Sequence, residues 1–139
     1  GLLETDEDRT FDVELERNRY PLYESDRVEA WITNESGRVL YYSSCMLRSV
    51  QRLVDGEVVA ERSPPVCECI CIEQLAPGER VPAEFSAMSV RFIQGHWSEQ
   101  ELLNSSFRLR FHSLFTDPSG SDSVSVEVQQ SPTFTFTNE

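Results

Sequence analysis

Three cysteines alternate in Cys67-Glu68-Cys69-Ile70-Cys71, and a fourth, Cys45, stands upstream. Thiols at every second position share one face when the segment is extended. One of them can then reach Cys45 on a neighbouring strand, provided the Cα atoms approach within about 7 Å. Closing a loop of about 22 to 26 residues in this way contributes on the order of 3 kcal/mol in the chain-entropy description. A bridge between positions i and i+2 of one extended strand is strained, so the remaining cysteines need a bulge to meet. Three readings stay open: one structural disulfide with two further thiols, two disulfides, or a thiolate metal site built on Cys67, Cys69 and Cys71 with Cys45. The run lacks the C-x-x-C knuckles of structural zinc, although thiol-x-thiol-x-thiol is a soft-metal pattern. Neither a C-x-x-C motif nor a βαβ setting marks a redox catalyst.

Other chemistry-bearing residues are sparse. His96 and His112 are the two histidines. His112 falls on the polar side of an alternating segment, and His96 stands beside Trp97 in a loop, where an imidazole anchors the chain more often than it ligates metal. No G-x-S-x-G, H-E-x-x-H or P-loop pattern occurs, so no catalytic residues and no cofactor are expected. The carboxylates fall mainly on solvent faces of strands. Sequons start at Asn34 and Asn104 and matter only in a eukaryotic secretory pathway.

The charge excludes several partners. A net charge of −12, with arginine as the sole basic residue type, opposes binding to nucleic acid. It opposes an anionic membrane surface equally. No apolar run approaches the roughly 20 residues of a membrane-spanning helix. Aromatic residues remain as candidates for contact with a protein partner: Trp31, Tyr42 and Trp97. Burying Val28, Ala30 and Ile32 turns Trp31 to the opposite side with Glu29 and Thr33, where either a loop near Trp97 covers it or it anchors a partner. Leu40, Tyr42 and Met46, opposite an assumed core face of Val39, Tyr41, Ser43, Cys45 and Leu47, extend such a patch.

The elements that position these residues read as strands. Residues 1–9 form an acidic, aperiodic tail or linker, and residues 10–137 form a single domain. Phe11, Val13 and Leu15 alternate with acids. Arg19 to Ser25 reads as a loop, Asn34-Glu35-Ser36-Gly37 and Ala76-Pro77-Gly78-Glu79 as turns, and Asp55-Gly56 as a hairpin. A bend or bulge is expected near Ser43-Ser44. Ser98-Glu99-Gln100-Glu101 has capping-box spacing and predicts one short helix near residues 98–104. Phe107, Leu109, Phe111 and Phe115 make the clearest alternation, followed by Val124 to Val128 and by Phe134 and Phe136. About seven to eight short antiparallel strands predict an all-β sandwich.

The order of Asn34-Glu35-Ser36-Gly37, Val39-Leu40-Tyr41-Tyr42, Cys45, Asp55-Gly56, Cys67, Leu75-Ala76-Pro77-Gly78-Glu79, Phe107-Arg108-Leu109-Arg110 and Ser131-Pro132-Thr133-Phe134 resembles the immunoglobulin-like domains of exported bacterial proteins and lipoproteins. More loosely, it is similar to BsuPI-type proteinase-inhibitor domains. Where those domains often carry Trp after the hairpin glycine, Val58-Val59 stand here, and no Trp lies between Cys45 and Cys67. The resemblance implies an immunoglobulin-like β-sandwich and a Cys45–Cys67 disulfide. It implies a non-enzymatic binding or assembly module, inhibitor-like activity being one member of that class. The alternative function is a metal-binding or thiol-redox protein. An even cysteine count fits an extracytoplasmic compartment, whether periplasmic, cell-surface or secreted. The start at Gly1 has two readings: a tag remnant, or a trimmed export signal or lipid anchor. Intact-mass measurement tests the cysteine assignment. Structural bridges give a gain of two or four hydrogens on reduction; four alkylatable thiols in the native protein, or stoichiometric metal, would sink them.

Overall fold

The computed structural model describes residues 11–43, 47–64, 72–82, 88–111, 114–115 and 130–138. Among the described residues the chain is all-β, its strands accompanied by two one-turn helices. β1 (Phe11–Leu15) pairs antiparallel with β4 (Ala30–Asn34), placing Phe11 opposite Asn34 and Leu15 opposite Ala30. β4 pairs on its other side with β9 (Arg80–Pro82). β3 (Arg27–Val28) continues this line beyond Glu29 and pairs with β10 (Met88–Ser89). Phe11, Val13, Val28, Ala30 and Ile32 are all buried, as the period-2 pattern predicts.

A second group of strands is built around β5 (Leu40–Ser43) and β6 (Leu47–Val54). β6 lies between β11 (Ser106–Phe111) and β7 (Glu57–Arg62). β5 lies between β12 (Leu114–Phe115) and β8 (Ile72–Leu75). The β6–β7 hairpin turns at Asp55 (φ 54°) and Gly56 (φ 82°), the paired positive angles that an Asp-Gly turn supplies. Opposite β11 the register shifts between Arg110 and Phe111, whose partners are Ser49 and Leu47, so the extra residue sits in β6 at Arg48. The bulge expected at Ser43-Ser44 falls partly outside the described residues.

The Val39 to Tyr42 run corrects the expected facing. Leu40 is fully buried and Tyr42 packs against the core, while Val39 is 39% exposed. Every residue in this run is apolar or aromatic, so both parities satisfy a buried strand and only its partners choose between them. The expected loop over Arg19 to Ser25 contains β2 (Arg19–Pro21), which pairs in parallel with β13 (Thr135–Thr137). Pro21 fits because the ladder ends there, and Leu22 N–H takes over by donating to the Thr137 carbonyl at 2.9 Å.

Both helices contribute side chains to the core. α2 (Glu99–Leu103) has the reciprocal capping box expected of Ser98 and Glu101 and buries Leu102. α1 (Val90–Gln94) was not expected; Ser89 caps it, and the i, i+3 pair Val90 and Ile93 turns inward. The core they cover is rich in rings. Phe107 lies 5.5 Å from Trp97, 5.9 Å from Phe134 and 5.4 Å from Phe136, centroid to centroid. Backbone exchange between Phe107 and Phe134, with both N–H···O distances 2.8 Å, locks these rings in register.

Two sequence turns meet at one buried amide. Asn34 Nδ2 donates to the Arg38 carbonyl at 2.7 Å and to the Leu75 carbonyl at 2.8 Å. Its Oδ1 accepts from Ser36 N–H and Ser36 Oγ, each at 2.8 Å. Its main chain bonds Glu79 and Gly78. The Asn34 sequon is therefore occupied by structure, with its amide 1% exposed. Asn34→Ala removes the side-chain bonds and takes this donor from the buried Leu75 carbonyl, so urea unfolding should show a loss of about 1–3 kcal/mol. Asn34→Asp keeps the shape but aims a carboxylate at two carbonyls, raising its folded-state pKa. Its deficit should deepen as pH rises through that value and shrink in acid.

Candidate functional site

Of the three rings expected at a partner surface, Trp31 is the one that faces away from the core. β4 alternates Ala30 and Ile32 inward with Trp31 and Thr33 outward. The antiparallel register places Glu14 and Pro82 directly opposite Trp31 on its two flanks, and Asp12 and Arg80 opposite Thr33. The Arg80 guanidinium lies over the Trp31 ring, 4.3 Å from its centroid. Arg80 Nε is 3.9 Å from Glu14 Oε1. Further along the face Arg27 Nη2 pairs with Glu29 Oε1 at 3.1 Å. Trp31 is thus half-buried beneath a side chain of its own sheet, rather than beneath the Trp97 loop expected to cover it.

Trp97 is 7% exposed and packs on Phe107, with Arg62 5.7 Å above its ring. Its place is the core, which corrects the expectation of a partner-binding ring. Tyr42 also packs against the core, opposite Glu73; burial raises its hydroxyl pKa, and the carboxylates of Glu73 and Glu79 add to the rise. Leu40 belongs to the same inner face, so the patch proposed from Leu40 and Tyr42 does not form beside Trp31. Met46, His112 and all four cysteines, Cys45, Cys67, Cys69 and Cys71, lie outside the described residues. Ile72, the residue after Cys71, pairs with Ser43, two residues before Cys45. His96 donates through Nδ1 to the Phe92 carbonyl at 2.9 Å and its ring lies 4.5 Å from that of Phe92, which anchors the loop after α1.

A second polar constellation was not anticipated. On the outward side of β11, β6 and β7, Arg108 donates through Nε (3.1 Å) and Nη2 (2.8 Å) to Gln51 Oε1. Gln51 Nε2 reaches Glu61 Oε1 at 3.4 Å. Glu61 Oε2 also accepts from Ser49 Oγ and from Arg110 Nη1, the latter at 3.3 Å. Ser49 is fully buried beneath this ladder, so its hydroxyl serves the network and is closed to substrate. Alternation at Ser49, Gln51, Arg108 and Arg110 carried the signal, but register was needed to align them with Glu61.

Burial pushes the Glu61 carboxyl up, and the bonds from Ser49, Gln51 and Arg110 outweigh it, holding the group below its ordinary value. A depressed folded-state pKa contributes stability above the unfolded value and loses it as pH falls through the folded one. Urea midpoints of the parent and Glu61→Gln should therefore differ most near neutrality and converge on acidification; a gap independent of pH would deny this role. No protein-family model matches the chain, and no curated protein sequence matches it.

Proposed function

We propose that this chain is an immunoglobulin-like β-sandwich that binds another protein outside the cytoplasm and carries out no catalysis of its own. The strand order supports the sandwich. In sequence order, β1, the β3–β4 line and the β9–β10 line can be matched with strands A, B and E in one layer of that fold. The β5–β6 line and the β11–β12 line can be matched with C and F of the other, and β13, which pairs with β2 and follows the Phe107–Phe134 bridge, with G. Buried side chains from both groups join one hydrophobic cluster, as two packed sheets require. The even count of four cysteines supports an oxidising, extracytoplasmic setting.

The observation that carries the binding reading is Trp31, a large ring placed on the outer face of a sheet whose inner face already supplies the core. Core packing needs no residue at that position; a partner surface favours Trp there above most others. The experiment is site-specific photo-crosslinking in the producing cell's envelope, with the photoreactive residue at Thr33 on the Trp31 face and, as control, at Val59 on β7. A discrete adduct from Thr33, absent from Val59 and lost when Trp31→Ala is added to a chain that keeps its circular dichroism spectrum, supports binding through this face. No adduct from Thr33, or one indifferent to Trp31→Ala, overturns it.

A further inference from the structure

Resting on that reading, we infer that Trp31 and Glu14 form a seat for a partner's cationic side chain, which Arg80 fills while the protein is free. The Arg80 guanidinium displays the seat at work: it stands 4.3 Å from the Trp31 centroid, within the range where a ring face attracts a cation. Glu14 supplies the counter-charge at 3.9 Å. A ring plus a carboxylate is the pair of groups that recognises a guanidinium or ammonium.

Arg80 holds the seat loosely. Its side chain is 49% exposed and that of Glu14 43%, so water competes for both charges and the ion pair is weak. No hydrogen bond with its side chain is present among the described residues. Arg27, the other arginine on this face among the described residues, differs because it is bound to Glu29 at 3.1 Å and does not lie over the ring. When Arg80 swings away, Trp31 is left beside Glu14, with Asp12 opposite Thr33 and the Arg27–Glu29 pair internally balanced, a face of the same sign as the whole chain, whose net charge is −12. That charge favours a basic partner segment and speeds its approach.

The partner docks on the face rather than along the edge of this sheet. β9 is the outer strand of its sheet among the described residues, and Pro82, directly opposite Trp31, has no N–H to offer an added strand. Recognition here is by side chains: a basic residue enters over Trp31, and Arg80 leaves.

The test is titration of the parent and of folded variants with a hexa-arginine peptide at low ionic strength, read by heat and by Trp fluorescence. Arg80→Gln and Arg27→Gln remove the same charge from the same face, but only the first empties the seat. Arg80→Gln should bind about two- to fivefold tighter than Arg27→Gln. Adding Trp31→Leu to Arg80→Gln should erase that gain, and Trp31→Phe should keep part of it; Glu14→Gln should weaken binding in both backgrounds. Equal affinities for Arg80→Gln and Arg27→Gln, or a gain that survives Trp31→Leu, overturns the inference. If the gain is missing while the Trp31-dependent crosslink at Thr33 persists, the cation seat falls and the binding module stands. The reverse pattern rejects the module and keeps the seat.

Discussion

One buried amide holds the two strand groups in relation to each other. At the Arg38 carbonyl, ahead of β5, and at the buried Leu75 carbonyl, where β8 ends, the chain leaves one set of pairings for another. Asn34 answers both places at once, giving one amide hydrogen to Arg38 and the other to Leu75, while Ser36 satisfies its oxygen. The turn through Gly78 (φ 80°) then delivers the Glu79 carbonyl to the Asn34 N–H. Neither turn could fix its geometry so tightly alone. The pairing of β4 with β9 follows from this junction, and so does the position of Arg80 beside Trp31.

The ring cluster is the second constraint. Phe107 reaches Trp97, Phe134 and Phe136, and Tyr20 meets Phe134 edge-on at 5.6 Å. These contacts draw together residues from β2, the loop before α2, β11 and the last strand. Offset and edge-on arrangements of this kind add to the energy of burial itself. They explain why Trp97, despite standing in a polar-looking loop, is taken inward.

Much of the architecture was legible in local chemistry. Alternation marked β1, β4 and β11; Asp55-Gly56 and Pro77-Gly78 marked their turns through the backbone angles they permit; Ser98 and Glu101 marked α2. Apart from the one-turn α1, what escaped detection depended on partners distant in the chain. The facing of Leu40 and Tyr42 could not be read from a run apolar on both parities, and the pairing of β2 with β13 joins residues more than a hundred positions apart. The candidate site divides in the same way. That Trp31 points outward follows from its neighbours' parity, but its cover does not. Arg80 reaches the ring because the β4–β9 register aligns it with Thr33, and no local pattern contains that register. The network around Glu61 is likewise a product of three strands aligned across the chain.

The parallel pairing of β2 and β13 has a mechanical consequence. Because the two strands run the same way, a pull applied before Arg19 and beyond Thr137 acts at opposite ends of their shared ladder. The bonds bridging them, including Thr135 to Asn18 and Leu22 to Thr137, are then strained together in shear rather than opened in succession like a zipper. Tension carried between Arg19 and Thr137 therefore meets its resistance at this short pair of strands, beside the ring cluster, while on the amino-terminal side β1 passes the load to the sheet that bears Trp31.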